Sequence, residues 1–489
     1  MIATLQAPKK LGASSPTSWR KAKFSEVCIK ISDGTHHSPH VQHSEPGKGR
    51  FKYVTSKNIR PWGLDLGDIA YVDEPVHREI YSRCQPEFGD VLLTKDGANT
   101  GNVAINTLDE EFSLLSSVAL LKPKRDVLET RFLRYYIESP IGSKRLLGEM
   151  TGTAIRRIIL KKIKDTEILL PPLDEQRQIV AEIEKQFTRL EAGVTALKRV
   201  QANLNRYRAA VVKAACEGKL VPTEAELAHA EGHTYETGEQ LLQRILTERR
   251  KIHERAQVNV ARKKKYKEPT PPSIPTDHEL PKGSTWATWD QIGFSQNGRP
   301  FPSAEYQETG FKLLRPGNLH VSGKVVWTNG NTRCMPQRFA EENPDLIVHG
   351  SELVMNLTAQ SLKDEFLGRV CITDTDEACM LNQRLARLTP IIVLPQFVLY
   401  LMKAWRFRRF VDGLNSGSLI QHMFTSQLAE FTFPLPPLAE QKRIVEEVER
   451  RLSVINELES VVKSNLQRAT RLRQSILQKA FAGEFHHNE

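Results

Sequence analysis

Four histidines fall within nine residues of "THHSPHVQH", His36, His37, His40 and His43, and they are the first place to look for chemistry. A structural zinc takes four nitrogen or sulfur ligands in a tetrahedron. No cysteine or paired carboxylate stands beside these histidines, and Asp33-Gly34 before them reads as a turn. The stretch is therefore read as a loop, facing DNA or simply solvent, and no metal is assigned. "FGDVLLTKDG" (88–97) sets acids near a lysine, but without the acid-x-Lys spacing of metal-dependent nucleases; "HGSELVMNLT" (349–358), its counterpart, lacks the lysine. No G-x-x-x-x-G-K-[ST] phosphate loop and no H-E-x-x-H occur. The repeated Pro-Pro pairs at 171–172 and 436–437 are followed by leucine and that at 271–272 by serine, none by the aromatic residue of adenine-methyltransferase N-P-P motifs. "PGKGR" (46–50) offers only G-x-G and reads as a turn. The expectation is a non-catalytic chain with no cofactor of its own.

The bulk properties point to a polyanion. The formal net charge is +11 and the pI about 9.2, which favours nucleic acid first and an acidic membrane surface second. Six scattered cysteines without a C-x-x-C pair suit a reducing cytosol. The opening "MIATLQAPKKLGASS" lacks the apolar core of a signal peptide. "PIIVLPQFVLYLM" (390–402) is too short to span a bilayer and carries an internal proline. A soluble, cytoplasmic protein is expected.

The elements that must position any site are written twice. "LPPLDEQRQIVAEIE" (170–184) returns as "LPPLAEQKRIVEEVE" (435–449), an offset of 265 residues. The match needs no gap from "GTAIRRIILKKIKDTEILLPPL" (152–173) over "GSLIQHMFTSQLAEFTFPLPPL" (417–438), and "RFLRYYI" (131–137) lies over "QFVLYLM" (396–402). With a small shift "FKYVTSKNI" (51–59) answers "FKLLRPGNL" (311–319). Each copy is a variable body followed by a long helix.

After Pro-Pro, heptad spacing takes over. One seam runs Val180, Ile183, Phe187, Leu190, Val194, Leu197, interrupted later by Gln201 and Arg208. The other runs Val445, Val448, Leu452, Ile455, Val462, Leu466, broken by Glu459 and Arg473. The economical partner of each helix is the other, as an antiparallel pair about a pseudo-twofold axis. The bodies mix short β-branched runs, turns and amphipathic helices. The expected fold class is α+β: two mixed α/β domains joined by two long antiparallel coiled-coil helices. The expected segments are a first body at 1–170 and first helix at 171–220, a connector at 221–285, then a second body at 286–435 and second helix at 436–489. The connector carries an amphipathic helix in "EQLLQRILTERRKIHERA" (239–256). Arg262, Lys263, Lys264, Lys265 and Lys267 follow it, and read equally as phosphate contacts or as a solvated linker.

A duplicated "PLPPL-x-EQ-[RK]-x-IV" phrase opening two long helices, each after a variable body, resembles the specificity subunits of Type I DNA restriction–modification enzymes. "GDVLL" (89–93) and "G-[TS]-x-I" at Gly152–Ile155 and Gly417–Ile420 add to the likeness. The resemblance implies that each body is a target recognition domain reading half of a split, asymmetric sequence in double-stranded DNA. It implies that the helices space the halves and dock two modification subunits, with restriction subunits joining them. S-adenosylmethionine, ATP and magnesium would sit on those partners. The rival reading is a coiled-coil scaffold tethering two protein-binding heads without DNA sequence preference.

Bidentate donors and small hydroxyls in corresponding loops are the candidate DNA contacts. In the first body these are Thr35, His36, Lys57, Asn58, Lys95, Thr153, Arg156, Arg157 and Lys161. In the second they are Arg299, Arg315, Asn318, Gln360, Ser361, Lys363, Gln383, Arg384, Ser418, Gln421 and His422. Trp62 and Trp327 read as core.

Overall fold

The structure, a computed structural model, describes residues 19–148, 157–258, 265–274, 279–360, 365–414 and 421–486. The chain forms two compact units, one of residues 1–199 with 462–489, the other of residues 200–461. Each unit takes one body and a part of both long helices.

Within the first unit, strand Arg20–Lys23 pairs antiparallel with Glu167–Leu170, the last strand before the long helix. The main sheet is antiparallel in the order Cys28–Asp33, Val118–Pro123, Val91–Thr94, Val103–Ile105. Its central strands, VALLKP and VLLT, are buried at every residue. Val91, Leu93 and Leu121 share a core with Phe132, Leu133 and Tyr136 of helix Thr130–Glu138. Leu92, Val118 and Leu120 pack on the other side with Val54, Ile59 and Leu114. An unbroken apolar run is what a strand covered on both faces requires. The smaller sheet joins Ala70–Asp73, Arg50–Val54 and Ser113–Leu114, with Tyr53 parallel to Ser113.

The second unit repeats the plan. Thr285–Thr288 pairs with Thr432–Leu435, the main sheet runs Gly293–Asn297, Leu385–Pro390, Leu353–Asn356, Val370–Ile372, and Leu313 lies parallel to Met380. The α+β class with an internal repeat is borne out. Helix Gly238–Ala256 joins this unit's core through Leu241, Leu242 and Ile245. Its buried Arg249 binds Asp290 at 2.9 Å and the Gly293 carbonyl at 2.8 Å.

The long helices are Leu173–Cys216, of 44 residues, and Leu438–Ala482, of 45. In the first unit Val180, Ile183 and Phe187 are buried with Ile476, Leu477, Ala480 and Phe481. Leu190, Val194 and Leu197 are half-buried there, Val462 is buried and Leu466 half-buried. In the second unit Val448 and Ile455 are buried, Val445 and Leu452 half-buried. Heptad reading passed over Ile179, Ile444, Leu477 and Phe481, buried beside the seam because each helix also packs on a body.

The arginines that interrupt the seams hold the helices together. Arg208 donates to Asn456 Oδ1 at 2.6 Å and Glu459 Oε2 at 2.9 Å in the second unit. In the first, Arg473 lies 3.8 Å over the Phe187 ring and 3.5 Å from Glu191. Arg473 is Arg208 plus 265 and Asn456 is Glu191 plus 265, so the repeat makes corresponding helix–helix contacts once in each unit.

The phrase shared by the helix entries is itself structural. Gln176 Nε2 donates to the carbonyls of Pro171 and Val127, both at 2.9 Å, while its Oε1 accepts from Glu129 N at 2.9 Å. Gln441 Nε2 donates to Pro436 O at 3.0 Å, and its Oε1 accepts from Leu394 N at 3.3 Å. Both side chains are fully buried. Each glutamine ties the helix entry to the turn leading into its body's helix, Thr130–Glu138 or Pro395–Lys403.

His77, in helix Glu74–Cys84, is buried and stacked on Phe51 with ring centres 3.8 Å apart. Burial pulls its pKa below 6.5, outweighing the Glu111 contact. Its folded pKa lies below its unfolded one, so the unfolded chain binds the extra proton first. Stability is then lost as pH falls through about 6.5. Unfolding followed from pH 7.5 to pH 5 should show this acid loss reduced in His77→Gln; an unchanged slope would assign the loss to other groups.

Candidate nucleic-acid interface

In each body three turns meet at one end of the main sheet. In the first, Gly34 passes so close to Leu114 that a Cβ on it would lie 1.7 Å from the Leu114 carbonyl oxygen. This lets Thr35 N donate to Leu114 O at 2.9 Å and Ser116 N to Thr35 O at 2.8 Å. The turn Ser56–Asn58 comes alongside through Leu115 N to Val54 O, 3.0 Å, and Ser56 N to Ser117 Oγ, 3.2 Å. Lys95 N donates to Ser117 O at 2.9 Å, and Ile158 N to Lys95 O at 2.7 Å, bringing Arg157 to the same edge.

The second body uses the same bonds. A Cβ on Gly298 would lie 2.2 Å from Asn382 O, Asn382 N reaches Leu314 O at 3.3 Å, Leu357 N reaches Arg384 O at 2.9 Å and Met423 N reaches Leu357 O at 3.0 Å. One scaffold thus presents different side chains. Thr35, His36, Ser56, Lys57, Ser116 and Ser117 stand on the first; Arg299, Arg315, Gly317, Gln383 and Arg384 on the second.

The candidates divide by placement. His36, Lys57, Arg157, Lys161, Arg299, Gln360, Gln383, Arg384 and His422 are exposed, and Thr35, Arg315 and Gln421 half-buried. Several are tethered: Lys57 to Asp68 at 3.2 Å, Arg157 to Asp96 at 3.7 Å, Arg299 to Asp345 at 3.7 Å. Gln421–His422 pairs with Thr358–Ala359, next to Gln360. Thr153, Arg156, Ser361, Lys363 and Ser418 lie outside the described residues, as do Arg262, Lys263 and Lys264 of the connector.

Four expectations need correction. Lys95 points inward, 3.2 Å from Asp33 Oδ2, with both side chains 5% exposed or less; its flanking strand is buried on both faces. Asn58 and Asn318 are buried because their amides hold their own turns. Asn58 accepts from Thr55 N at 2.9 Å and donates to Asp65 O at 3.0 Å; Asn318 accepts from Arg315 N at 2.9 Å. These three side chains are engaged in holding their own loops. Trp62, expected in the core, is 74% exposed on the turn between strands Ile59–Arg60 and Gly63–Leu64. Sequence reading also passed over Phe301 and Tyr306, which stand beside Arg315 and Arg384; an aromatic residue just after the Asn-Gly turn was the available signal.

Burial pushes the thiols of Cys28, Cys216, Cys371 and Cys379 up to about 12, away from the reactive thiolate form. Among the described residues no cluster of three or more His, Cys, Asp or Glu could hold a metal ion, and no helix is long and apolar enough to cross a membrane.

Two copies of one loop-bearing α+β body, each tied to a long helix, define a duplicated two-body protein. The model of the Type I restriction modification DNA specificity domain matches residues 65–199 and 308–468, more than half of the chain. The chain belongs to this family. It is 23% identical over 475 residues to the Type I restriction enzyme MjaVIII specificity subunit of Methanocaldococcus jannaschii, covering 97% of this chain and 94% of that one. It is 23% identical over 406 residues to the EcoAI specificity subunit of Escherichia coli, covering 73% and 66%. A chain from a solved structure concerned with complex assembly and conformational transition of the type I R-M system superposes with a TM-score of 0.61 at 19% identity, covering 96% of this chain and all of that one. That likeness bears on the fold.

Proposed function

We propose that this chain is the sequence-reading, non-catalytic subunit of a Type I restriction–modification assembly, each body contacting one half of a split, asymmetric DNA target. The paired helices act as spacer and dock for two modification subunits, which methylate adenine. Restriction subunits join them, and S-adenosylmethionine, ATP and magnesium are bound by the partners. One observation carries the reading: the same turns, held by the same backbone bonds, present hydroxyls, His36 and Lys57 in one body and guanidinium and amide groups in the other. Equal loops would read a palindrome; unequal loops on one scaffold read unlike halves.

The test is co-expression with the modification subunit, then mapping of methylated adenines on a random-sequence plasmid library. A split, asymmetric motif with a fixed gap is expected. A palindrome, or methylation without a motif, would refute independent reading by the two bodies. A stable complex that methylates nothing would favour the scaffold.

The spacer role has its own test. Leu190 is half-buried within helix Leu173–Cys216. Leu190→Pro removes a helix hydrogen bond and clashes with the preceding turn, costing about 3 kcal/mol or more. Loss of the fixed gap in the methylation map is expected; an unchanged motif from an assembled Leu190→Pro complex would refute the spacer.

A further inference from the structure

We propose that the second body contains a guanine-reading pocket, built by Arg315, Gln383 and Arg384 against the rings of Phe301 and Tyr306, so that guanine specificity belongs to its half-site. The assignment rests on the DNA-reading function above. A cavity of about 420 Å³ opens among these residues and Asn382, and among the described residues no carboxylate lines it. Arg315 has its guanidinium carbon 5.7 Å from the centre of the Tyr306 ring and donates from Nη2 to Asn331 O at 3.3 Å. Among the described residues its buried Nε has no hydrogen-bond partner. Such a donor is costly to leave unmatched, and an acceptor entering the cavity would relieve that cost.

Arg384 and Gln383 stand on the exposed turn between strands Cys379–Leu381 and Leu385–Pro390, and among the described residues neither side chain has a polar partner. That contrasts with Arg299 and Arg338 nearby, which are paired to Asp345 and Glu305. Gly317 lines the rim and adds no side chain to it.

The donor set decides which base fits. Guanine shows two acceptors, O6 and N7, in the major groove, the pair that an arginine fork matches. Cytosine's amino group asks for a carboxylate, which this lining lacks. An adenine edge needs an acceptor beside its donor, available only from the amides and not from the guanidinium groups. A phosphate would use the charge but has no need of the aromatic wall. In the first body the same backbone positions carry Thr55, Lys57, Ser116, Ser117 and His37, which offer no arginine fork, so the specificity is confined to one half.

The experiment uses the full chain in complex with its modification subunit, comparing methylation maps of wild type, Arg384→Ala and Arg384→Lys. Arg384 is exposed, so both variants should fold; a thermal melt checks this. The wild-type motif is expected to contain guanine in one half. Arg384→Ala should lower discrimination at that guanine by about tenfold or more, leaving the other half unchanged. Arg384→Lys should not restore it, because an ammonium lacks the fork. A uniform fall in methylation with an intact motif, rescued by lysine, would make Arg384 a phosphate contact and overturn the proposal. So would a motif without guanine in either half, although the DNA-reading function would then stand. A wild-type complex that methylates without any motif would remove that function and this pocket's role with it.

Discussion

Lys95→Met should destabilise the first body by about 3 kcal/mol, the loss expected when one partner of a buried ion pair is removed. Lys95 Nζ lies 3.2 Å from Asp33 Oδ2, at 3% and 5% side-chain exposure. Without the lysine, Asp33 retains among the described residues Arg83 at 3.8 Å and His36 at 3.7 Å, both half-exposed and poorly placed to replace it. Adding Asp33→Asn should recover most of the loss, because the uncompensated charge is then gone. The second body already shows this solution. Asn297 pairs with Ala386 as Asp33 does with Ala119, and Leu357 follows the strand Leu353–Asn356 as Lys95 follows Val91–Thr94, so neither charge is present there. Leu357 is buried in the apolar core of the second body. Amide exchange in Cys28–Asp33 and Val91–Thr94 is the measurement, since it reads this sheet alone. If Lys95→Met leaves that protection intact while weakening DNA binding, the lysine contacts DNA after all.

Gln176→Leu and Gln441→Leu should each cost about 3 kcal/mol, through buried groups left unpaired at roughly 1–3 kcal/mol apiece. Gln176→Leu strands the Val127 and Pro171 carbonyls and the Glu129 amide; Gln441→Leu strands the Pro436 carbonyl and the Leu394 amide. Glutamate should serve no better than leucine, because its carboxylate would face carbonyl oxygens. The adjoining acids are used differently in the two copies. Glu175 accepts from Trp19 Nε1 at 2.8 Å, whereas Glu440 is buried, has its pKa raised by that burial, and accepts from Glu224 N at 2.8 Å. Protection of the helix Leu173–Cys216 near its start, and of Leu438–Ala482 near its own, should fall in the respective variants. Unchanged protection together with failure to bind the modification subunit would make the repeated phrase a docking signal instead of an internal tie.

The amino-acid sequence by itself determined the duplication, the two long helices, the α+β class and the family. Each is carried by local or periodic information: a gapless repeated phrase, heptad spacing that an α-helix turns into a stripe, and Pro-Pro punctuation at the helix entries. The tertiary structure alone decided which polar residues look outward. Lys95, Asn58, Asn318, Gln176 and Gln441 carry the residue types of a DNA or protein contact, yet each is spent inside the fold. Arg208 and Arg473 look like flaws in a seam until the antiparallel partner supplies Asn456, Glu459 and Glu191. The pocket beneath Arg315 and Arg384 exists because Gly298 lies against Asn382, 84 positions further along the chain. Exposure is set by contacts between segments far apart in sequence, and no window of neighbouring residues contains them.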